Sequence, residues 1–304
     1  MAQKVILDVD TGCDDAVAML LAGHHPALEF IAVLPVHGNA PLADTLDNTL
    51  RLLSAGKLEH VPVYIGAEHP LIGPTIAGSG DQIVKMPFPA SSIKPQKTHA
   101  VNFLIEYYMS GAGHDTIYVP LAPLTNLALA LRIEPRLSQH IPQIVTMGGA
   151  YLMGNTNPSA EFNILADPEA AQIVYSAGIP IRMVGLEVTA MADVRPQDVD
   201  TIRVIPTAWA KAAAEIMDIV LNIQMKKFNM PGGLIYDACA VAAVIEPEIL
   251  ETKPMHVDIE LTGAYTRGRT VADARPSCPQ PANVDVGVGF NRDRFLQIMR
   301  EGLV

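Results

Sequence analysis

Short apolar runs alternate with longer Ala- and Leu-rich segments along the first two thirds of the chain, and this alternation constrains the fold more than any other feature. VILDV at 5–9 precedes a helical pattern over 14–25, FIAVLPV at 30–36 precedes another over 41–56, and VPVYI follows at 61–65. The order then continues with a helix near 98–110, TIYVP at 116–120, a helix near 123–132, QIVTM at 143–147, a helix near 167–176 and IPIRMVG at 179–185. Runs that are apolar throughout, rather than alternating with polar residues, belong to strands buried on both faces. The predicted class is therefore α/β: a mostly parallel open sheet with helices on both faces, a Rossmann-like core. Ligands of such sheets bind beyond the carboxyl ends of the strands, so the residues just after each strand carry the functional interest.

Residues 206–230 place Trp209, Ala212, Ala213, Ile216, Ile219, Val220 and Ile223 at helical spacing and stop at Pro231-Gly232-Gly233. That stripe predicts a long amphipathic helix used for core packing. A loop richer in Gly, Pro and Ser spans 70–92, but no repeat, low-complexity tract or linker divides the 304 residues, so one domain over 1–304 is expected.

Lys plus Arg number 21 against 32 for Asp plus Glu, and a net charge of −11 repels phosphate backbones and anionic membrane surfaces. Neither nucleic acid nor membrane is expected as a partner. The apolar stretch at the amino terminus runs into aspartates too soon for a signal peptide, and no run approaches the ~18 apolar residues of a membrane span. Cys13, Cys239 and Cys278 are odd in number and widely spaced, matching neither a disulfide framework nor a zinc site. These features together predict a cytoplasmic protein.

Four carboxylates, Asp8, Asp10, Asp14 and Asp15, fall within eight residues where the first strand hands over to a helix through Thr11-Gly12. A helix amino terminus favours nearby acids by only about 0.3–1 kcal/mol each, little beside the repulsion of four such groups in one turn. A hard divalent cation resolves the conflict, and oxygen donors without His or Cys favour Ca²⁺ or Mg²⁺. The plainer alternative has Asp14 capping the helix while the others face solvent.

LDVDT matches the start of haloacid-dehalogenase-like phosphohydrolases, in which the first Asp is the nucleophile and the second an acid/base. The later Lys and acidic pair of those enzymes is not found in their spacing. DVDTGCDDAVAMLLA at 8–22 resembles the signature of the inosine/uridine-preferring nucleoside hydrolases, DxDxGxDDxxA. The resemblance continues through VHGNA at 36–40, APLTNLALAL at 122–131, MGGAYLMGNTNPSAEFNILADPEAA at 147–171, Asp237 before an Ala-rich helix, TVADARP, and NVDVGVGF near the end. It implies hydrolysis of the N-glycosidic bond of purine or pyrimidine ribonucleosides, giving ribose and free base in salvage, by a homodimer or homotetramer. A relative that binds nucleosides without turnover is the remaining alternative.

By that resemblance, Asp10, Asp15 and Asp237 would hold Ca²⁺ with their carboxylates and Thr125 with its backbone carbonyl. Asp14 would be the general base for a water activated by the ion. Asn39, Asn155, Glu161 and Asn163 match ribose-binding positions, with Asn155 and Glu161 nearest the 5′-hydroxyl, while Met147 and Phe162 would floor the sugar pocket. Neutral amides and one carboxylate suit an uncharged polyol, whereas a phosphate would call for Arg, Lys or a glycine-rich cradle. The chain departs from the family at the leaving base: Tyr236 stands where many members have His, and TIAGSGDQI replaces a His-Gly pair, with His69 several residues earlier. Tyr236 would either donate its hydroxyl to the base or stack on it. Among the other histidines, only His37 lies near the site by sequence.

Overall fold

The computed structural model describes residues 1–76 and 85–304, without the side chains of 227 and 228, so most of the TIAGSGDQI stretch lies outside the described residues. Its first half runs β1 (Gln3–Val9), α1 (Cys13–His24), β2 (Leu28–Pro35), α2 (Leu42–Ala55), α3 (Ala100–Met109), β3 (Thr116–Pro120), α4 (Thr125–Ile133), β4 (Ile144–Met147), α5 (Phe162–Ala166), α6 (Pro168–Tyr175) and β5 (Ile181–Val184). The second half adds α7 (Leu186–Thr189), β6 (Asp193–Val194), α8 (Pro196–Arg203), α9 (Ala208–Phe228), β7 (Gly233–Leu234), α10 (Tyr236–Ile245), β8 (Leu250–Ile259), β9 (Thr270–Asp273), β10 (Val284–Phe290) and α11 (Arg292–Leu303).

Eight strands form one sheet in the order β2-β1-β3-β4-β5-β10-β8-β9. The pairs from β2 to β10 are parallel, and the β10–β8 and β8–β9 pairs at one edge are antiparallel. The chain leaves β1 for β2 on one side and returns to β3 on the other, so a crevice opens beyond the carboxyl end of β1. VPVYI at 61–65 is not a full strand: one bridge joins Val63 to Val33, with Val33 N–H donating to Pro62 O and Tyr64 N–H to Val33 O. Pro62 has no N–H to extend the ladder, which confines this segment to the edge.

Strand β1 shows how the sheet sorts its residues. Val5, Leu7 and Val9 join the core packed by α1, α9, α10 and α11, whereas Ile6 joins the core packed by α3, α4 and α6. This is the period of two expected of a strand. Asp8 shares the parity of Ile6 and therefore points into the α4 side, away from the crevice. Helix α1 is buried along Ala16–Ala22 on nearly every side, so a truncation such as Leu20→Ala would cost about 2–5 kcal/mol. Among the described residues, no helix is long and apolar enough to cross a membrane.

Candidate active site

The acid-rich turn is held by its own carboxylates and by α2. Asp15 Oδ2 accepts from Gly12 N–H at 2.8 Å and Oδ1 from Asp10 N–H at 3.2 Å, which closes the turn over the start of α1. Asp10 Oδ2 accepts from the backbone N–H of Asn39 at 2.7 Å and Oδ1 from the Asn39 amide at 3.2 Å. A Cβ on Gly38 would lie 2.0 Å from Asp10 Oδ2, so only glycine admits that carboxylate. From α2, Asn48 Nδ2 donates to Thr11 O at 3.0 Å.

Asp237, in the first turn of α10, closes the cluster: one carboxylate oxygen each from Asp14, Asp15 and Asp237 lies within 4.8 Å of the others. Asp10 lies outside that triangle but lines the same cavity. Burial is the largest effect on all four groups. It pushes Asp14 up to about 6, and with the Asp14 charge it pushes Asp15 up to about 7. Asp10 and Asp237 rise well above the carboxylate range, from burial first and then from neighbouring carboxylates. Among the described residues, no Lys, Arg or His lines the cavity. Oxygen donors crowded together without a cationic side chain match the chemistry of a hard divalent ion.

The cavity measures about 520 Å³ and lies beyond the strand ends, as the topology requires. Its polar wall carries Asn39, Asn155, Glu161 and Asn163, with Met147 and Phe162 beside them. Glu161 is nearly fully buried and caps α5, accepting from Gly149, Asn163 and Ile164 N–H at 2.9, 2.9 and 3.2 Å. Burial raises its carboxyl and these backbone donors pull the other way. Asn163 Nδ2 donates to Leu121 O at 2.9 Å and Met147 O at 3.2 Å, tying together the ends of β3 and β4. Asn155 Oδ1 accepts from Phe162 N–H at 3.0 Å.

Two expected residues are not on the cavity wall. Asp15 is wholly buried just behind it and reaches the cluster through its carboxylate. Thr125 is turned elsewhere: its hydroxyl donates to Asp167 Oδ2 at 2.7 Å and meets His37 Nε2 at 3.0 Å. The residue of this segment that lines the cavity is Leu121, four positions earlier. His37 itself is buried away from the cavity, and burial pushes its ring down to about 4, leaving it neutral at pH 7. His69 is exposed and bonds Thr75 rather than entering the site.

The far wall is apolar. Val220, Ile223 and Gln224 from the end of α9, with Met230, Leu234 and Tyr236, also line the cavity. The helix over 206–230 thus supplies wall as well as core, a role its spacing does not reveal; Gln224 interrupting the stripe is the available signal. Gln224 Oε1 accepts from Leu234 N–H at 2.8 Å, which pins the end of α9 to β7. Burial and the nearby charges of Asp14, Glu161 and Asp237 hold the Tyr236 hydroxyl far above its usual range, so it stays protonated. Cys13 also lines the wall, with burial and Asp14 pushing its thiol up to about 12.

A family profile described as inosine-uridine preferring nucleoside hydrolase matches residues 5–297. The chain belongs to this family. The nucleoside hydrolase chain is 36% identical over 304 residues to the pyrimidine-specific ribonucleoside hydrolase RihB of Escherichia coli O9:H4 (strain HS), covering 98% of this chain and 96% of that one. Among solved structures, the purine-preferring ribonucleoside hydrolase from Gardnerella vaginalis superposes with a TM-score of 0.91 at 30% identity, over 99% of this chain and 98% of that one. A plant nucleoside hydrolase, PpNRh1, superposes with a TM-score of 0.90 at 28% identity, over 100% and 99%. Membership makes this chain an N-glycosyl hydrolase acting on ribonucleosides.

Proposed function

We propose that this chain is a calcium-dependent ribonucleoside hydrolase that releases ribose and a free base for salvage, with Asp14 as its general base. One observation carries the reading: a single cavity joins a cluster of carboxylates to a wall of amides and one buried Glu, with no cationic side chain lining it among the described residues. Asp10, Asp15 and Asp237 would hold the ion. Leu121 is the better source of a backbone carbonyl than Thr125, because Leu121 lines the cavity and Thr125 does not. Bound there, calcium would offset the carboxylate charge and supply Lewis acidity.

The chain's own residues account for the remaining steps. Asp14 is the least buried of the acids and, raised to about 6, is mostly ionised at pH 7, so it can take the proton of a water attacking C1′. The C1′–N bond breaks as positive charge develops on the sugar ring, which the surrounding carboxylates favour. Asn163, its Nδ2 committed to two carbonyls, offers Oδ1 to a ribose hydroxyl, whereas Asn155, its Oδ1 taken by Phe162, offers Nδ2. The departing base then needs a proton. Tyr236, kept protonated by burial and by its carboxylate neighbours, would assist by donating a hydrogen bond to the base, with solvent supplying the proton.

Asp8, the nucleophile of the phosphohydrolase alternative, is fully buried and does not reach the cavity, and both its oxygens are bonded to Tyr118 and Asn126. Incubation with inosine, uridine and a phosphate monoester tests the proposal through the release of reducing sugar and of phosphate. Reducing sugar from a nucleoside supports it; phosphate release alone, or no product from any of the three, would overturn it.

A further inference from the structure

The loop between β4 and α5 carries Asn155 and Glu161, and its first residues are bonded from the loop's own far end and from two other parts of the fold. Gly149 N–H donates to Glu161, Gly149 O accepts from Leu186 N–H at 3.0 Å, and Leu152 N–H donates to Glu187 Oε1 at 2.7 Å. The tightest hold is on Ala150. Its N–H donates to Thr270 Oγ1 at 2.8 Å, and the same hydroxyl donates back to Ala150 O at 2.5 Å. Thr270 opens β9, at the antiparallel edge of the sheet and 120 residues away in sequence, and it is 1% exposed. A Cβ on Gly149 would come within 2.9 Å of Thr270 Cγ2, so loop and strand are packed as closely as glycine allows.

One hydroxyl therefore satisfies both backbone groups of Ala150, five residues before Asn155. A buried peptide left without these partners loses much of its positional definition, because its polar groups must find others. We propose that Thr270 is a positioning residue for the 5′ side of the ribose compartment, acting through the backbone of Ala150 on the loop that presents Asn155 and Glu161. The antiparallel arm thereby gains a part in substrate binding although Thr270 does not line the cavity. The proposal rests on the reading of those two side chains as partners of the ribose 5′-hydroxyl.

The test compares a nucleoside with its 5′-deoxy counterpart in the unmodified protein and in Thr270→Val, which keeps the shape and removes the hydroxyl. Because the loop is displaced, the preference for the 5′-hydroxyl in kcat/KM should shrink by about tenfold, the equivalent of one hydrogen bond, while turnover of the 5′-deoxy substrate changes by less than about threefold. Thr270→Ser, which restores the hydroxyl, should restore the preference. A general structural defect would lower both substrates equally and leave the preference intact, which would overturn the proposal. Thr270→Ala, which admits water to the vacated space, carries the test if the Val protein does not fold, and failure of both to fold would overturn it as well. An unmodified protein that hydrolyses nucleosides without regard to the 5′-hydroxyl also overturns it. One that hydrolyses no nucleoside overturns instead the functional reading beneath it.

Discussion

Replacing Asp8 with Asn separates the two chemistries that the LDVDT segment admits. Asp8 accepts from Asn126 Nδ2 at 3.0 Å and from the Tyr118 hydroxyl, deep in the core under α4. Asn has the same shape but turns one acceptor into a donor, leaving one buried polar hydrogen unmatched at a cost of about 1–3 kcal/mol. Burial pushes the Asp8 carboxyl from 3.8 up to about 7, with the two hydrogen bonds opposing. A carboxyl whose folded pKa lies above its unfolded value binds its proton more tightly in the native chain. Its stabilising contribution is therefore complete below about pH 4 and is lost as the pH rises through about 7, at most about 4 kcal/mol over that window. The amide of the Asp8→Asn protein has nothing to titrate. The melting temperature of Asp8→Asn should fall below that of the unmodified protein at pH 5, by roughly 2–4 °C for each kcal/mol, and the gap should close or invert by pH 8. Thermal unfolding at both pH values, with metal saturating in each, measures the gap. A gap that widens from pH 5 to pH 8 would refute the argument from the buried carboxyl. Turnover of nucleosides should survive the change; loss of ~10²-fold or more in a folded protein would return Asp8 to the chemistry.

Exhaustive chelation should abolish nucleoside hydrolysis and calcium should restore it, because among the described residues no cationic side chain lines the cavity to replace the ion; full activity in protein shown metal-free by elemental analysis contradicts this. Asp14→Asn should lower kcat by at least ~10²-fold while calcium remains bound, as measured by steady-state kinetics with a metal-binding titration. Tyr236→Phe should slow natural nucleosides about tenfold or more and leave p-nitrophenyl riboside nearly unaffected, since that leaving group needs little protonation. Unchanged rates on natural nucleosides would remove the hydroxyl from catalysis.

The parallel half of the sheet is legible in the sequence because β1 to β5 are largely covered and read as short, mostly apolar runs, interrupted only singly, as by Asp8, Glu29 and Arg182. The antiparallel arm is not. Strand β8, LETKPMHVDI, alternates only beyond Pro254, and β10, VDVGVGF, alternates its apolar residues with Asp and Gly, so neither presents the apolar run by which the other strands are read. Thr125 illustrates a different limit. Which backbone carbonyl faces a cavity depends on the path of the main chain and not on residue type, and the path turns Leu121 toward the site and the Thr125 side chain toward Asp167. Proximity in sequence groups Asp8 with the other acids, although the two-residue period of β1 sends it to the opposite face.

The two sides of the cavity differ in how a sequence can encode them. On the polar side, each of these groups also fixes the backbone: Glu161 caps α5, Asn163 ties β3 to β4, and Asn39 holds Asp10. Each such residue serves scaffold and site together, so few substitutes are tolerated and short motifs suffice to reveal it. On the apolar side, Val220, Ile223, Met230 and Leu234 border the cavity with apolar side chains, and Gln224 is occupied with Leu234. Apolar contacts discriminate between ligands by about 1–3 kcal/mol for a methylene, and residues of similar size replace one another there at little cost to the fold. Under the proposed function, bond cleavage would be written in a handful of positions, whereas base preference would be spread over a wall whose members look like ordinary core. Two relatives named for opposite bases, one pyrimidine-specific and one purine-preferring, match this chain nearly end to end, as expected if preference turns on that wall.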